Sequence, residues 1–259
     1  MSLSFRQSDI LDLARGDGRV TVDGLATRFN VTVQTIRRDL TELAEAGYLD
    51  RVHGGAVLRS GVANIGYEDR RGLNEAAKTA IARACAAEIP DGASLFLNIG
   101  TSTEAVAREM LNHRNLMVVT NNMNVANILV ANPEAEIIVA GGVLRRADGG
   151  LIGNLTVRTI EQFKFDFAVI GCSALDEDGD LLDFDFQEVH VSQTIIAQAR
   201  RTYLVADHSK FQRSAPARIT SLARLSAFFT DQPPPETVAD LCREADTRVI
   251  VVAPEAASG

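Results

Sequence analysis

The sequence predicts two parts: a small winged helix-turn-helix unit, then a larger α/β domain built on a mainly parallel sheet. Three observations carry this. Near the N-terminus two short amphipathic stretches are separated by only Asn30, Val31 and Thr32. A Gly-Gly hairpin pattern follows at Gly54 and Gly55. From Glu75 onward, helical stretches alternate with short apolar runs. A length of 259 residues also exceeds one ordinary domain.

In the first unit, Ile10, Leu11 and Ala14 recur at helical spacing from Phe5, and Gly16 with Gly18 should stop that helix. A second helix is expected from about Asp23 to Phe29, with Leu25, Ala26 and Phe29 on one side. A third starts at Val33, where Val33, Ile36, Leu40 and Leu43 form an apolar stripe. Gln34, Thr35, Arg37, Arg38 and Thr41 lie off the stripe, and Gly47 is the expected C-cap. Tyr48 to Val57 reads as two short strands, a wing. The expected domains are residues 1–58 and 75–254, joined by a linker at 59–74 that lacks periodicity. Strands of the second domain are expected at 94–97, 116–120, 136–140, 166–170, 202–206, 226–229 and 248–252.

Composition narrows the function classes. With 46% hydrophobic and 23% charged residues and no apolar run of about 18, nothing reads as a membrane span. The opening MSLSFRQSDI has no apolar secretory core, so a cytoplasmic location is expected. Cys85, Cys172 and Cys242 are too widely spaced for a disulfide framework or a CxxC metal site, and neither cofactor nor metal is expected. The formal charge is -8, yet residues 1–60 hold eight Arg and eight acids. The first unit is therefore neutral and the second carries the whole charge, which would keep the larger domain off nucleic acid.

The third helix suits the major groove of double-stranded DNA. Arg37 and Arg38 can hold phosphate or guanine, Gln34 can bond adenine, and Thr32 caps the helix so that free amides face phosphate. Arg51 and His53 would sit on the wing near the DNA backbone. The stretch VTVDGLATRFNVTVQTIRRDLTELAEAGYLDRVHGGA, residues 20–56, resembles the DeoR-type winged helix-turn-helix, with its TIRRDL recognition helix and R-x-HGGA wing. That resemblance covers nearly the whole chain and implies that Thr32, Gln34, Thr35, Arg37, Arg38 and His53 face an operator. A homodimer or homotetramer is expected.

In the second domain, Leu95 to Glu104 reads as a buried strand turning into a helix through Asn98-Ile-Gly100-Thr101-Ser102-Thr103. Helix-opening amides and three hydroxyls there would cradle a phosphate. Asn121, Asn122, Gly141 and Gly142 fall at later strand ends, where open α/β sheets bind ligands, and Lys210 can supply a positive charge. These segments resemble the sensor domain of DeoR-type repressors, which is similar to ribose-5-phosphate isomerase and glucosamine-6-phosphate deaminase. The resemblance implies a phosphorylated sugar or polyol as effector. Asn98, where most such domains carry Asp, together with FLNIGTSTEAVA and DEDGDLLDFDFQEVHVSQ, looks closest to the branch that represses glycerol-3-phosphate regulons. The effector this implies is sn-glycerol 3-phosphate.

Asp183, Asp185 and Glu188 keep a sugar-phosphate isomerase or deaminase-like enzyme as the alternative, since such acids could move protons. An attached DNA-reading unit favours a sensor instead. These acids then become ligands for effector hydroxyls or helix-start residues, with Asp183 and Glu188 counted among the effector-binding positions. Asp176, Asp178 and Asp180 lack the glycine position of a calcium loop and read as a solvated turn.

Overall fold

The computed structural model describes residues 3–17, 19–46, 48–52, 54–58 and 67–253. The chain divides into two compact units, Met1–Ala63 and Asn64–Gly259.

The first unit contains α1 (Phe5–Asp17), β1 (Arg19–Thr21), α2 (Val22–Phe29), α3 (Val33–Glu45), β2 (Leu49–Val52) and β3 (Gly55–Leu58). Ile10, Leu11, Ala14, Leu25, Ile36, Leu40, Leu43 and Leu49 close its core. Asn30 makes the sharp turn between α2 and α3 in the left-handed conformation, φ 50° and ψ 48°, and its amide returns to the carbonyls of Ala26 and Thr27. Three expectations need correction. Helix α1 continues through Gly16 to Asp17, because one glycine costs a helix only about 1 kcal/mol. Val33 is exposed, so the buried stripe starts at Ile36. The wing also gains β1 as a third strand, in the antiparallel order β1-β3-β2. Gly18 and Gly47 lie outside the described residues. Gly55 is needed where β1 meets β3, since a Cβ there would lie 2.0 Å from the Val20 carbonyl oxygen.

The second unit opens with α4 (Tyr67–Gly72) and α5 (Glu75–Ala87). Residues 67–72 were expected to be linker; six residues are too few to show a helical period. Then come β4 (Ser94–Leu97), α6 (Thr101–Glu109), β5 (Leu116–Thr120), α7 (Met123–Leu129) and β6 (Ala135–Val139). A hairpin of β7 (Val143–Leu144) and β8 (Leu151–Ile152) leads to α8 (Asn154–Ile160) and β9 (Phe165–Ile170). Next are β10 (Ala174–Leu175), β11 (Asp180–Asp183), α9 (Phe186–Gln198), β12 (Ala199–Val205) and β13 (Ala217–Ser221). The chain ends with β14 (Ala227–Thr230), α10 (Glu236–Glu244) and β15 (Arg248–Val251).

Seven strands form one sheet in the order β15-β14-β12-β9-β4-β5-β6, and every pairing in it is parallel. Both faces are covered. Leu95, Leu97, Val118, Val169 and Val205 pack with Ile81 of α5, Val106 of α6 and Val125 of α7. Phe96, Val119, Ala168, Ile170 and Leu204 pack with Ile160 of α8, Val189 of α9 and Val238 of α10. Burial on both faces explains why these strands read as continuous apolar runs. A small antiparallel sheet, β10-β11-β13, lies beyond the sequence-based expectation.

Candidate functional site

In the first unit α3 carries an exposed polar face. The Thr32 hydroxyl accepts from the Thr35 amide at 3.2 Å and lies 2.9 Å from the Thr35 hydroxyl. Gln34, Arg37 and Arg38 are exposed and Thr35 is half-buried. Arg38, with its side chain 82% exposed, pairs with Glu42 at 2.9 Å. Such an exposed pair is worth at most about 1 kcal/mol, so a phosphate can replace it. On the inner side Arg6 grips the buried Asp39 at 2.6 Å and fixes α3 against α1. Arg51 donates to the Arg37 carbonyl at 3.1 Å, so it braces the wing against α3. His53 lies outside the described residues.

In the second unit β4 is the pivot of the strand order. The chain runs outward to β5 and β6, then restarts on the other side with β9. The crevice at the C-terminal ends of β4 and β9 is where an open parallel sheet takes a ligand. Asn98–Gly100 follow β4 there and Gly171–Ser173 follow β9. The second segment was not singled out from sequence, although its place at a strand end was the available signal. Gly100, at φ 141°, is the N-cap of α6 and supplies no side-chain cap, so the helix-opening amides of Thr101, Ser102 and Thr103 remain suited to an anion. The Thr103 hydroxyl corrects an expectation. It is buried and donates toward the carbonyls of Asn98 and Gly100, at 2.6 and 2.7 Å, shaping the turn instead of facing a ligand. Asn98 is buried as well; its Nδ2 donates to Ser192 Oγ at 2.9 Å and its Oδ1 accepts from the Ile99 amide at 2.7 Å.

A cationic group adjoins this turn. Lys210 sits on the 3₁₀ turn His208–Gln212 and is buried. Burial and the neighbouring Arg213 push its ammonium down to about 8, against the pull of Asp207. Lys78 of α5 is also buried, and its ammonium too is pushed down to about 8, by burial and by Lys210, Arg213 and Arg70. Its Nζ donates to the Arg70 carbonyl, which the Thr101 hydroxyl also approaches at 3.5 Å. Burial alone would raise the Asp207 carboxyl, but Lys210, Ser209 and Asn74 hold it below the usual carboxylate range. Sequence reasoning found Lys210 and missed Arg70, Lys78 and Arg213.

The acids form a second group. Asp183 is buried and accepts from the Phe184 amide at 2.6 Å and the Ser173 hydroxyl at 3.1 Å; burial pushes its carboxyl up. Burial and Asp183 push Glu188 up to about 7, opposed by Arg145. Arg145, also missed, reaches Asp148 and Asp185 at 2.9 Å and Glu188 at 2.7 Å. Asp185 caps α9 through the Gln187 amide. Asn122 caps α7 through the Asn124 amide and donates to Glu104 at 3.2 Å. Asn121 donates to the Leu151 carbonyl at 3.1 Å, while its buried Oδ1 has no hydrogen-bond partner among the described residues. The Gly141 carbonyl accepts from Thr156 at 2.6 Å, and Gly142 follows at φ 145°. Cys172 lies between the two groups: burial, Asp183 and Asp207 push its thiol up to about 12 against the pull of Lys210, so it stays neutral.

Comparison with known proteins agrees with both halves of this description. Residues 6–61 match the DeoR-like helix-turn-helix domain, and residues 73–232 match the DeoR C terminal sensor domain. The glycerol-3-phosphate regulon repressor of Escherichia coli (strain K12) is 46% identical over 238 residues, 92% of this chain and 94% of that protein. The protein of the same name from Haemophilus influenzae is 44% identical over 251 residues, 97% of this chain and 98% of that one. Among solved structures, ribose 5-phosphate isomerase A of Methanocaldococcus jannaschii superposes with a TM-score of 0.40 at 14% identity, covering 53% of this chain and 55% of that one. Among the described residues no helix is long and apolar enough to cross a membrane.

Proposed function

Given that the chain belongs to the DeoR family of transcriptional regulators, we propose that it represses a glycerol or sugar-phosphate catabolic operon and releases its operator on binding a phosphorylated metabolite, sn-glycerol 3-phosphate first among candidates. One observation carries the ligand class: at the strand-order reversal an α6 N-terminus without a side-chain cap meets, at the Arg70 carbonyl, the buried Lys78, which has the buried Lys210 as its cationic neighbour. Amide donors, a helix dipole and two ammonium groups suit a phosphate dianion. Relatives named for the glycerol-3-phosphate regulon support the choice of triol phosphate.

The amides of residues 101–103, with Lys210, hold the phosphate in this reading. Asn98 keeps a neutral group beside it, and Asp183, Glu188 and the Asn121 carbonyl accept from hydroxyls. Gly141 and Gly142 shape the loop beside α8. A triol phosphate offers no carbonyl to enolise, so these acids bind and do not catalyse. Copies of the chain, as a dimer or tetramer in the cytoplasm, set paired α3 helices onto two half-sites through Thr32, Gln34, Thr35, Arg37, Arg38, Arg51 and His53. Effector binding favours a sensor conformation that spoils this spacing. Its effect is limited to the difference in affinity between the two states, about 1–3 kcal/mol, or roughly 5- to 150-fold in operator affinity.

A gel-shift titration against glycerol 3-phosphate, several sugar phosphates and unphosphorylated glycerol tests the reading. Release by glycerol 3-phosphate, and none by glycerol, is expected. Release by no phosphorylated compound refutes it.

A further inference from the structure

Four large apolar side chains of the second unit stand open to solvent on neighbouring elements. Val143 and Leu144 of β7 are 69% and 53% exposed, Leu155 of α8 is 61% exposed, and Phe186, the first residue of α9, is 77% exposed. The chain holds these elements together. Val143 pairs with Ile152 across the β7-β8 hairpin, and Leu155 lies over Gly141, where an added Cβ would meet its Cδ2 at 3.1 Å. Arg145, next to Leu144, donates to Asp185, next to Phe186, at 2.9 Å. The same guanidinium holds Asp148 of the hairpin loop and Glu188 of α9, so the hairpin is pinned to the start of α9. The patch is therefore preformed. None of the four serves the core, because α8 and α9 bury Val157, Ile160, Val189 and Ile195 instead.

The charge of this face says what covers it. Among the exposed residues of the hairpin, α8 and α9 there is no carboxylate. Asp148 is buried, and Asp185 and Glu188, half-buried at the border, are held by Arg145. The exposed positions of α9 are Phe186, Gln187, His190, Gln193 and Ala197, an uncharged row with an aromatic at its head. Loss of charge around aromatic and aliphatic anchors is what marks the centre of a protein interface. The whole chain carries 34 acids and a net charge of -8, so two copies repel each other over most of their surface. An apolar face free of carboxylates is where they can meet. The four side chains leave about 400 Å² open, roughly half of the ~800 Å² that each partner of a standard interface buries.

We propose that Val143, Leu144, Leu155 and Phe186 form the centre of a two-fold interface with a second copy of this chain, which joins two sensor units and so brings two α3 helices into one particle. A two-fold pairing needs only one self-complementary patch, and a continuous apolar one meets that condition. The inference deepens the operator reading above, on which it rests, by naming the surface that supplies the second helix.

The test is sedimentation velocity of the full-length chain, wild type, Phe186→Glu and Leu155→Arg, without DNA or effector, from nanomolar to tens of micromolar protein. Wild type should associate. Each variant should fall to half the wild-type mass or less at a concentration at least tenfold higher than wild type does, with its melting curve unchanged because both side chains are exposed. A monomeric wild type overturns the inference and leaves the face to a different protein. Folded variants that dissociate within tenfold of the wild-type concentration, or not at all, also overturn it. If neither charged variant folds, the double variant Leu155→Ala with Phe186→Ala, which only shortens exposed side chains, decides by the same criterion. Mass is read without operator, so a wild type that assembles through this face but binds no DNA refutes the operator reading alone.

Discussion

Asn98 Nδ2 donates to Ser192 Oγ at 2.9 Å, joining the end of β4 to α9 by a buried, uncharged hydrogen bond. The neutrality of this bond matters because the α6 turn begins two residues later.

Asn98→Asp should therefore fold, since Ser192 can rotate to donate, but it places a negative charge beside the phosphate. At an effective dielectric near 20 the repulsion is about 1–2 kcal/mol, a loss of roughly 5- to 30-fold in effector affinity. Calorimetry with glycerol 3-phosphate reads it, and unchanged affinity would mean the phosphate lies elsewhere.

Arg38→Ala removes an exposed side chain whose partner in the first unit is Glu42. Thermal stability should change by no more than about 0.5 kcal/mol. Operator affinity should fall by about 1–3 kcal/mol, with effector affinity intact. Anisotropy with a labelled operator checks the loss; full operator affinity would remove Arg38 from the interface.

The buried lysines should make effector binding pH-dependent. Lys78 and Lys210 drop from an ordinary 10.5 to about 8 in the folded chain. Between those values the unfolded chain holds more protons, so stability rises with pH across that window. Effector affinity runs the other way, because an anion needs charged lysines: it should fall as pH passes about 8, with proton uptake on binding. Titrations at pH 7 and 9.5 in buffers of different ionisation enthalpy test this. Lys210→Met should bind weakly and flatten the slope; a wild type with the same affinity at both pH values would contradict the arrangement.

Gly142→Ala should destabilise the second unit by about 1–3 kcal/mol. At φ 145° an added Cβ would lie 2.1 Å from Thr156 Oγ1 and 2.7 Å from the Ile152 carbonyl oxygen, and backbone cannot yield there cheaply. A melting temperature within about 1 °C of wild type would show that the loop relaxes.

The sequence made the parallel strands legible because strands buried on both faces are unbroken apolar runs; β4, with Leu95, Phe96 and Leu97, is one. It was less clear at β12, whose first residues Ala199, Arg200 and Arg201 are polar or half-exposed. The exposed polar face of α3 was legible through Ile36, Leu40 and Leu43, which are buried and leave only one outward side. Arg145 was not, because Asp185 and Glu188 reach it from forty residues further on. Arg70 was hidden in a helix too short to show a period, and Thr103, one hydroxyl among three, gave no sign that its hydrogen bond points inward.

The most direct test is reciprocal. Operator affinity is measured with and without saturating glycerol 3-phosphate, and glycerol 3-phosphate affinity with and without saturating operator. Linkage requires one factor in both directions, and the account predicts a weakening of roughly 5- to 150-fold each way. Operator affinity that stays the same while the sensor is full would contradict it.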